Sequence, residues 1–260
     1  MKLIPNKLRQ TVLRMVYESG SGHIGGSFSI AEVIAYLYSN SDFDFLNADG
    51  DKFVLSKGHS VPIIYAALHE LGLISDNDLA KYRQIDSPLQ GHPHRLASPY
   101  IHASTGSLGQ GLSIAIGHAF GMRMRGQTTK SFCIMGDGEM QEGQVWEAFM
   151  LAPRHKLDNL ICFIDCNGGQ GDGRVKDILD LGDIHSKIKA FGWNTLSIDG
   201  HDLNAIDTAV HSNIPDIPTC IILDTIKGKG VSFIEGGWHA KAPNDEEYQS
   251  AIKELNRESN

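Results

Sequence analysis

The sequence predicts an α/β fold, a parallel sheet with helices on both faces, on three observations. From residue 130 onward, short apolar runs alternate with helix-length amphipathic segments, the pattern of repeated βα units. Two of these runs end on Asp137 and Asn167, thirty positions apart, which is the span of a strand, a crossover helix and a parallel strand. No internal repeat, low-complexity segment or composition break marks a linker in the 260 residues, so residues 1–260 read as a single domain.

Taken in order, residues 5–19 carry helical spacing at Leu8, Val12, Met15 and Val16, and this helix should end in the glycine-dense stretch SGSGHIGGS, where the backbone turns tightly or approaches a neighbour closely. His23 lies there, either as an ordinary loop histidine or as a polar group facing a site. Ser29 and Glu32 suggest a capping box for a core helix whose apolar face is Ile30, Val33, Ile34, Leu37 and Tyr38. Residues 53–55 read as a short strand running into a loop with Lys57, Gly58 and His59, followed by a helix over 62–71 with Pro62 in its first turn. Ser75 opens another short helix.

The stretch SPLQGHPHRLASPYIHASTGSLGQG is a long loop by its Gly, Pro and Ser content, and such loops are usually functional or disordered. Its histidines 92, 94 and 102 do not make a zinc site, because a proline splits the first two and no carboxylate follows at ligand spacing. Glycines 106, 109 and 111 stand at the start of the next helix as GxxGxG and follow no strand, so a dinucleotide fingerprint is absent. Then come a strand at 132–135, a helix at 139–152, a strand at 160–165, a helix at 183–191, a strand at 195–199, a helix at 203–212 and a strand at 219–226. The glycine-rich KGKGVSFIEGGWHAKAP lacks P-loop spacing, and residues 245–258 form a charged surface helix.

Asp137 and Asn167 would share the carboxyl edge of one sheet, where ligands bind in open α/β folds. The turn after the first run leads into a helix whose free N–H groups favour an anion. Two oxygen donors for a hard cation beside an anion site imply a bound metal diphosphate. The formal charge of 23 minus 31, or −8, with no basic stripe, argues against a nucleic-acid partner. Neither a signal peptide nor an apolar run of about 20 residues is present, so no membrane association and a cytoplasmic location are expected. The four cysteines form no CxxC pair and read as core thiols.

Seven segments in order, SGSGHIGG, VLSKGHS, GHPH, STGSLGQG, GDGEMQEGQVWEA, LDNLICFIDCN and GWNTLSIDGHD, resemble the N-terminal thiamin-diphosphate-binding domain of transketolases over nearly the whole chain. The resemblance implies the thiamin-diphosphate-binding fold of the transketolase type, with thiamin diphosphate and Mg²⁺ or Ca²⁺ as cofactors. The implied reaction moves a two-carbon ketol unit from a ketose, phosphorylated or otherwise anionic, to an aldose. It further implies Asp137 and Asn167 as side-chain metal ligands with the main-chain carbonyl of Gly169 as the third. Gly138 and the Gly106, Ser107, Leu108 turn would approach the cofactor, as would Asn167. His59 and His239 would stand near the diphosphate and thiazolium. His23 and His92, with His239, would serve the substrate hydroxyls and carbonyl, where a proton must move. Glu142 would sit at a subunit interface linking two active sites; Glu147, five positions on, does not share its strict helix face.

Three positions depart from the family pattern: Gly169 replaces a bulky aliphatic residue, His94 replaces an acidic one, and Glu139 stands where a small or neutral residue is common. The resemblance also stops short of the second domain, whose glutamate activates the cofactor's aminopyrimidine. The chain is therefore expected to be the N-terminal subunit of a split transketolase, inactive alone and assembling as α₂β₂ with a separate C-terminal, pyrimidine-binding subunit. Two alternatives stand beside this: the α subunit of a 2-oxo acid dehydrogenase decarboxylase component, disfavoured by the histidine set suited to hydroxylated sugars, and a non-catalytic thiamin-diphosphate-binding scaffold subunit.

Overall fold

The computed structural model describes residues 2–257. In chain order the elements are α1 (Pro5–Ser19), α2 (Gly25–Phe28), α3 (Ala31–Ser39), β1 (Lys52–Leu55), α4 (Pro62–Glu70), α5 (Asp76–Leu79), α6 (Gln110–Met124), β2 (Ser131–Gly136), α7 (Gly143–Arg154) and β3 (Leu160–Cys166). They continue with β4 (Gly169–Gln170), β5 (Gly173–Arg174), α8 (Val175–Leu179), α9 (Ile184–Ala190), β6 (Asn194–Asp199), α10 (Leu203–Val210), β7 (Thr219–Asp224) and α11 (Asp245–Arg257). Five strands form one parallel sheet in the order β1-β2-β3-β7-β6, and β4 and β5 make a small antiparallel hairpin directly after β3.

Residue alternation along the strands divides the core into two faces. Phe53, Leu55, Phe132, Ile134, Ile161, Phe163, Ile221 and Leu223 point toward the layer built from α1, α3, α4 and α10. Val54, Cys133, Met135, Cys162, Ile164, Cys220 and Ile222 point toward α6, α7 and α9. Both sides of the central strands are covered, which is why they read as unbroken apolar runs. Each large side chain buried this way contributes about 1.5–3 kcal/mol. Helix α1 forms where the spacing predicts it, opens with Pro5 and stops at Gly20, whose φ of 65° only glycine adopts cheaply.

The Ser29–Glu32 capping box does not form: α3 begins after Ile30 without a side-chain cap. Glu32 instead turns inward to Arg9 at 2.7 Å and to His201 Nδ1 at 2.9 Å, because a buried guanidinium needs a counter-charge more than a helix end needs a cap. Ser29 Oγ donates to Asp165 at 2.6 Å. The true capping box is Ser75 with Asp78. The expected helix at 139–152 is a 3₁₀ turn, Gly138–Gln141, followed by α7, and β7 stops at Asp224 rather than 226. Residue 258 of the expected last helix lies outside the described residues. Among the described residues no helix is long and apolar enough to cross a membrane.

Candidate active site

A cleft of about 370 Å³ opens at the carboxyl ends of β2 and β3. Asp137 follows β2 directly and Asn167 follows β3, so the parallel register that pairs Gly136 with Asp165 brings them to the same edge. Asp137 Oδ1 accepts from the Gly138 N–H at 2.8 Å and Oδ2 from the Gly168 N–H at 2.8 Å. Burial, with the nearby Asp165 charge adding to it, pushes the Asp137 carboxyl up to about 6, against those N–H donors and Lys57. A carboxylate held this way is a site where a cation would lower the energy.

Behind it lies Asp165, fully buried on β3. It pairs with Lys57 Nζ at 2.5 Å and accepts from Ser29 Oγ, Thr225 Oγ1 and, at 2.7 Å, Asn167 Nδ2. Burial works to raise its pKa, but Lys57 and the hydroxyl donors outweigh that and hold it below the usual carboxylate range. Because the Asn167 amide nitrogen is committed to Asp165, its oxygen is the atom left for the cleft, where it accepts from the Gly169 N–H at 3.1 Å. Asp137, Asn167 and the adjacent main chain thus offer oxygens alone, a donor set for Mg²⁺ or Ca²⁺ rather than a soft metal.

Three histidines converge on the other side. His23 lies 5.2 Å from His59 and 5.1 Å from His239 between ring centroids, and His59 lies 5.1 Å from His239. Burial, then the neighbouring His239, Arg83, His92 and Lys227, lowers His23 to about 4. Burial, then Lys57 and the other histidines, lowers His59 to about 2. The rings are therefore neutral near pH 7 and can donate at one nitrogen and accept at the other. His23 Nδ1 is buried without a partner, a polar atom that a bound hydroxyl or carbonyl would satisfy. His239 reaches the cleft on the segment after β7, which packs so closely on the SGHIGG loop that a Cβ at Gly25 would stand 2.1 Å from the Trp238 carbonyl oxygen.

Of the residues the sequence singled out, His23, His59, Gly106, Leu108, Asp137, Gly138, Glu142, Asn167, Gly169 and His239 line this one cleft. Ser107 and His92 do not. His92 is exposed at the rim, its ring next to Gly106, where a Cβ would come within 3.4 Å of it. Glu142 is exposed and precedes α7.

Residues 1–256 match the family described as "Transketolase, thiamine diphosphate binding domain". The chain belongs to this family. It is 40% identical over 260 residues to human transketolase-like protein 2, covering 95% of this chain but 41% of that protein. It is 39% identical over 265 residues to the 6-deoxy-6-sulfo-D-fructose transketolase subunit SqwG of Clostridium sp. (strain MSTE9), covering 97% of this chain and 95% of that subunit. The crystal structure of Campylobacter jejuni transketolase superposes with a TM-score of 0.89 at 30% identity, over 97% of this chain and 42% of that one. The chain thus spans about two fifths of the transketolase-like protein and nearly the full length of the subunit.

Within this transketolase fold, sequence reasoning passed over Lys57, Asp165, Lys227, Gln170 and Asp172. Lys227 is 4% exposed, lines the cleft and donates to the Gln170 carbonyl at 3.4 Å. It belongs to the KGKG stretch, which lacks P-loop spacing; the signal that marks it is a lysine three residues past the buried strand β7. Asp165 was legible as a charge inside the apolar run LICFIDC, which requires a buried partner. Gly169, where a bulky side chain was expected, leaves room for the Lys227 stem: a Cβ there would stand 2.9 Å from Lys227 Cδ.

Proposed function

We propose that this chain is the diphosphate-side subunit of a thiamin-diphosphate-dependent transketolase, transferring a two-carbon ketol unit from an anionic ketose to an aldose. The observation that carries the reading is the convergence of oxygen donors at Asp137 and Asn167 with three neutral histidines in one cleft. Asp137, Asn167 and the Gly169 carbonyl would hold Mg²⁺ or Ca²⁺, and the metal with Lys227 would balance a diphosphate. Gly106, Leu108 and Gly138, small or presented by main chain, allow close approach of the cofactor. Thiamin diphosphate supplies a carbon nucleophile that can take up and release a ketol unit.

The chain's own contribution is binding and proton placement. His59 and His239 would flank the cofactor. His23, with its unpartnered nitrogen, would take or give a proton at the substrate carbonyl or hydroxyl, assisted by His92 at the rim. Arg83, whose charge acts on both His23 and His92, supports an anionic substrate. Glu142, exposed at the cleft's outer margin, would reach a neighbouring subunit.

The reading places residues 1–260 as one domain and requires a separate C-terminal, pyrimidine-binding subunit in an α₂β₂ assembly. Near-complete mutual coverage with a relative named as a subunit supports the existence of a separate partner. Four free cysteines suit the cytoplasm. Ketol transfer measured with the purified chain, with and without the partner, tests the reading. Activity only in the mixture is expected, and full activity of the chain alone would overturn the split assignment.

A further inference from the structure

Glu139 is 2% exposed and has no ion-pair partner among the described residues, yet it stands in the middle of the candidate site. Its Oε1 accepts from Ser56 Oγ and from the Gly109 N–H at 2.7 Å, and its Oε2 accepts from the Gly136 N–H at 3.2 Å. Ser56 Oγ in turn accepts from the Gly111 N–H at 3.0 Å. Ser56 lies on the loop after β1 that carries Lys57 and His59, Gly109 on the turn before α6 that carries Gly106 and Leu108, and Gly136 ends β2, directly before the turn that carries Asp137, Gly138 and Glu139 itself. Lys57 acts on it only through space, and burying a carboxylate with no cation in contact is costly unless several donors satisfy it.

The same contacts determine what the start of α6 can do. A helix N-terminus with a glycine-rich approach is ordinarily a place for phosphate. Here Gly109 and Gly111 have spent their N–H groups on Glu139 and Ser56. Gly109 is held at a φ of +82°, and a Cβ at Gly111 would lie 2.3 Å from Ser56 Oγ. Glu139 and Ser56 take up two of the N–H groups an anion would use there, which directs a diphosphate toward the Asp137 turn and Lys227.

We infer that Glu139 is a positioning residue: a buried carboxylate that fastens the three cofactor-facing segments together in advance of ligand binding. The inference rests on the proposed thiamin-diphosphate reading for the ligand, but the fastening itself belongs to the free chain. It also gives a purpose to the one acidic departure in the GDGE segment. Preorganised segments bind more tightly because the ordering cost is met during folding.

Glu139→Gln preserves size and shape but supplies one acceptor oxygen where three donors point. In either amide orientation its NH₂ faces an N–H or O–H donor. Hydrogen exchange on the free full-length chain should show the Gly109 and Gly136 amides losing protection about 10- to 100-fold in Glu139→Gln, with sheet amides such as Cys162 and Ile221 unchanged. Ser56→Ala, which removes one donor and keeps the carboxylate, should show a smaller change in the same direction and serves if Glu139→Gln does not fold. In the complex with the partner subunit, titration of thiamin diphosphate with Mg²⁺ should give a dissociation constant raised about 10-fold or more in Glu139→Gln, with KM for the sugar unchanged. Unaltered exchange at Gly109 and Gly136, or a uniform loss across the sheet as well, would overturn the clamp. Failure of the wild-type complex to bind thiamin diphosphate would overturn the cofactor reading, while the exchange result would still decide the clamp.

Discussion

At the scale of single residues, Asp137 bears the largest share of the cofactor prediction, because it is the one charged protein oxygen proposed for the metal. Replacing it by alanine removes that charge and also the acceptor for the Gly138 and Gly168 N–H groups. Thiamin diphosphate affinity in the presence of Mg²⁺ is expected to fall on the order of 100-fold in Asp137→Ala. Calorimetric titration of the assembled complex checks this, and an unchanged affinity would remove Asp137 from the metal site. Asp137 and Asn167 were legible from sequence because each ends an apolar run, and strand ends converge at one sheet edge. Lys227 and Glu139 were not legible in this way, since their importance arises from loops distant in sequence meeting in space.

At the scale of elements, one buried carboxylate joins pieces that the sequence lists separately. Asp165 on β3 ties the loop after β1 through Lys57, the end of α2 through Ser29, and the residue after β7 through Thr225. The run of strands and helices after residue 130 could be read from apolar periodicity, because each element buries one face or both. Its cross-links could not, because a side-chain pair at a separation of 108 positions leaves no local pattern. The failed capping box makes the same point: the Ser29 and Glu32 spacing was right for a cap, but the long-range partners Asp165 and Arg9 took both side chains. Asp165→Asn would leave Lys57 buried with its counter-charge gone, and breaking such a pair from one side costs on the order of 3–5 kcal/mol. Urea unfolding of the free chain should register a loss of that size, and a change below about 1 kcal/mol would mean that the pair behaves as a surface ion pair.

At the scale of the whole molecule, the buried neutral histidines set how stability responds to acid. His59 and His102 are lowered from the usual 6.5 to about 2 and about 4, in both cases by burial first and by neighbouring cations second. Above pH 6.5 these groups are neutral folded or unfolded and do not affect the balance. As pH falls below 6.5 the unfolded chain takes up their protons while the folded chain does not, so stability is lost through the window from 6.5 toward 4. Asp137 acts in the opposite sense, since its folded value of about 6 lets the folded chain bind a proton before the unfolded chain does. Glu32 and Asp165, both held below the usual range, add to the loss at the acid end of the window. His23, lowered to about 4, behaves as His59 and His102 do, and three histidine protons against those taken up by Asp137 and the raised Glu139 leave a net acid destabilisation, at about 1.4 kcal/mol per pH unit for each net proton. Thermal unfolding of the free chain should therefore show a falling midpoint from pH 7 to pH 4.5. In a His59→Asn, His102→Asn double variant the slope should flatten, with His23 left to oppose the Asp137 contribution. A profile as steep in the double variant as in the wild type would show that other groups govern the acid response.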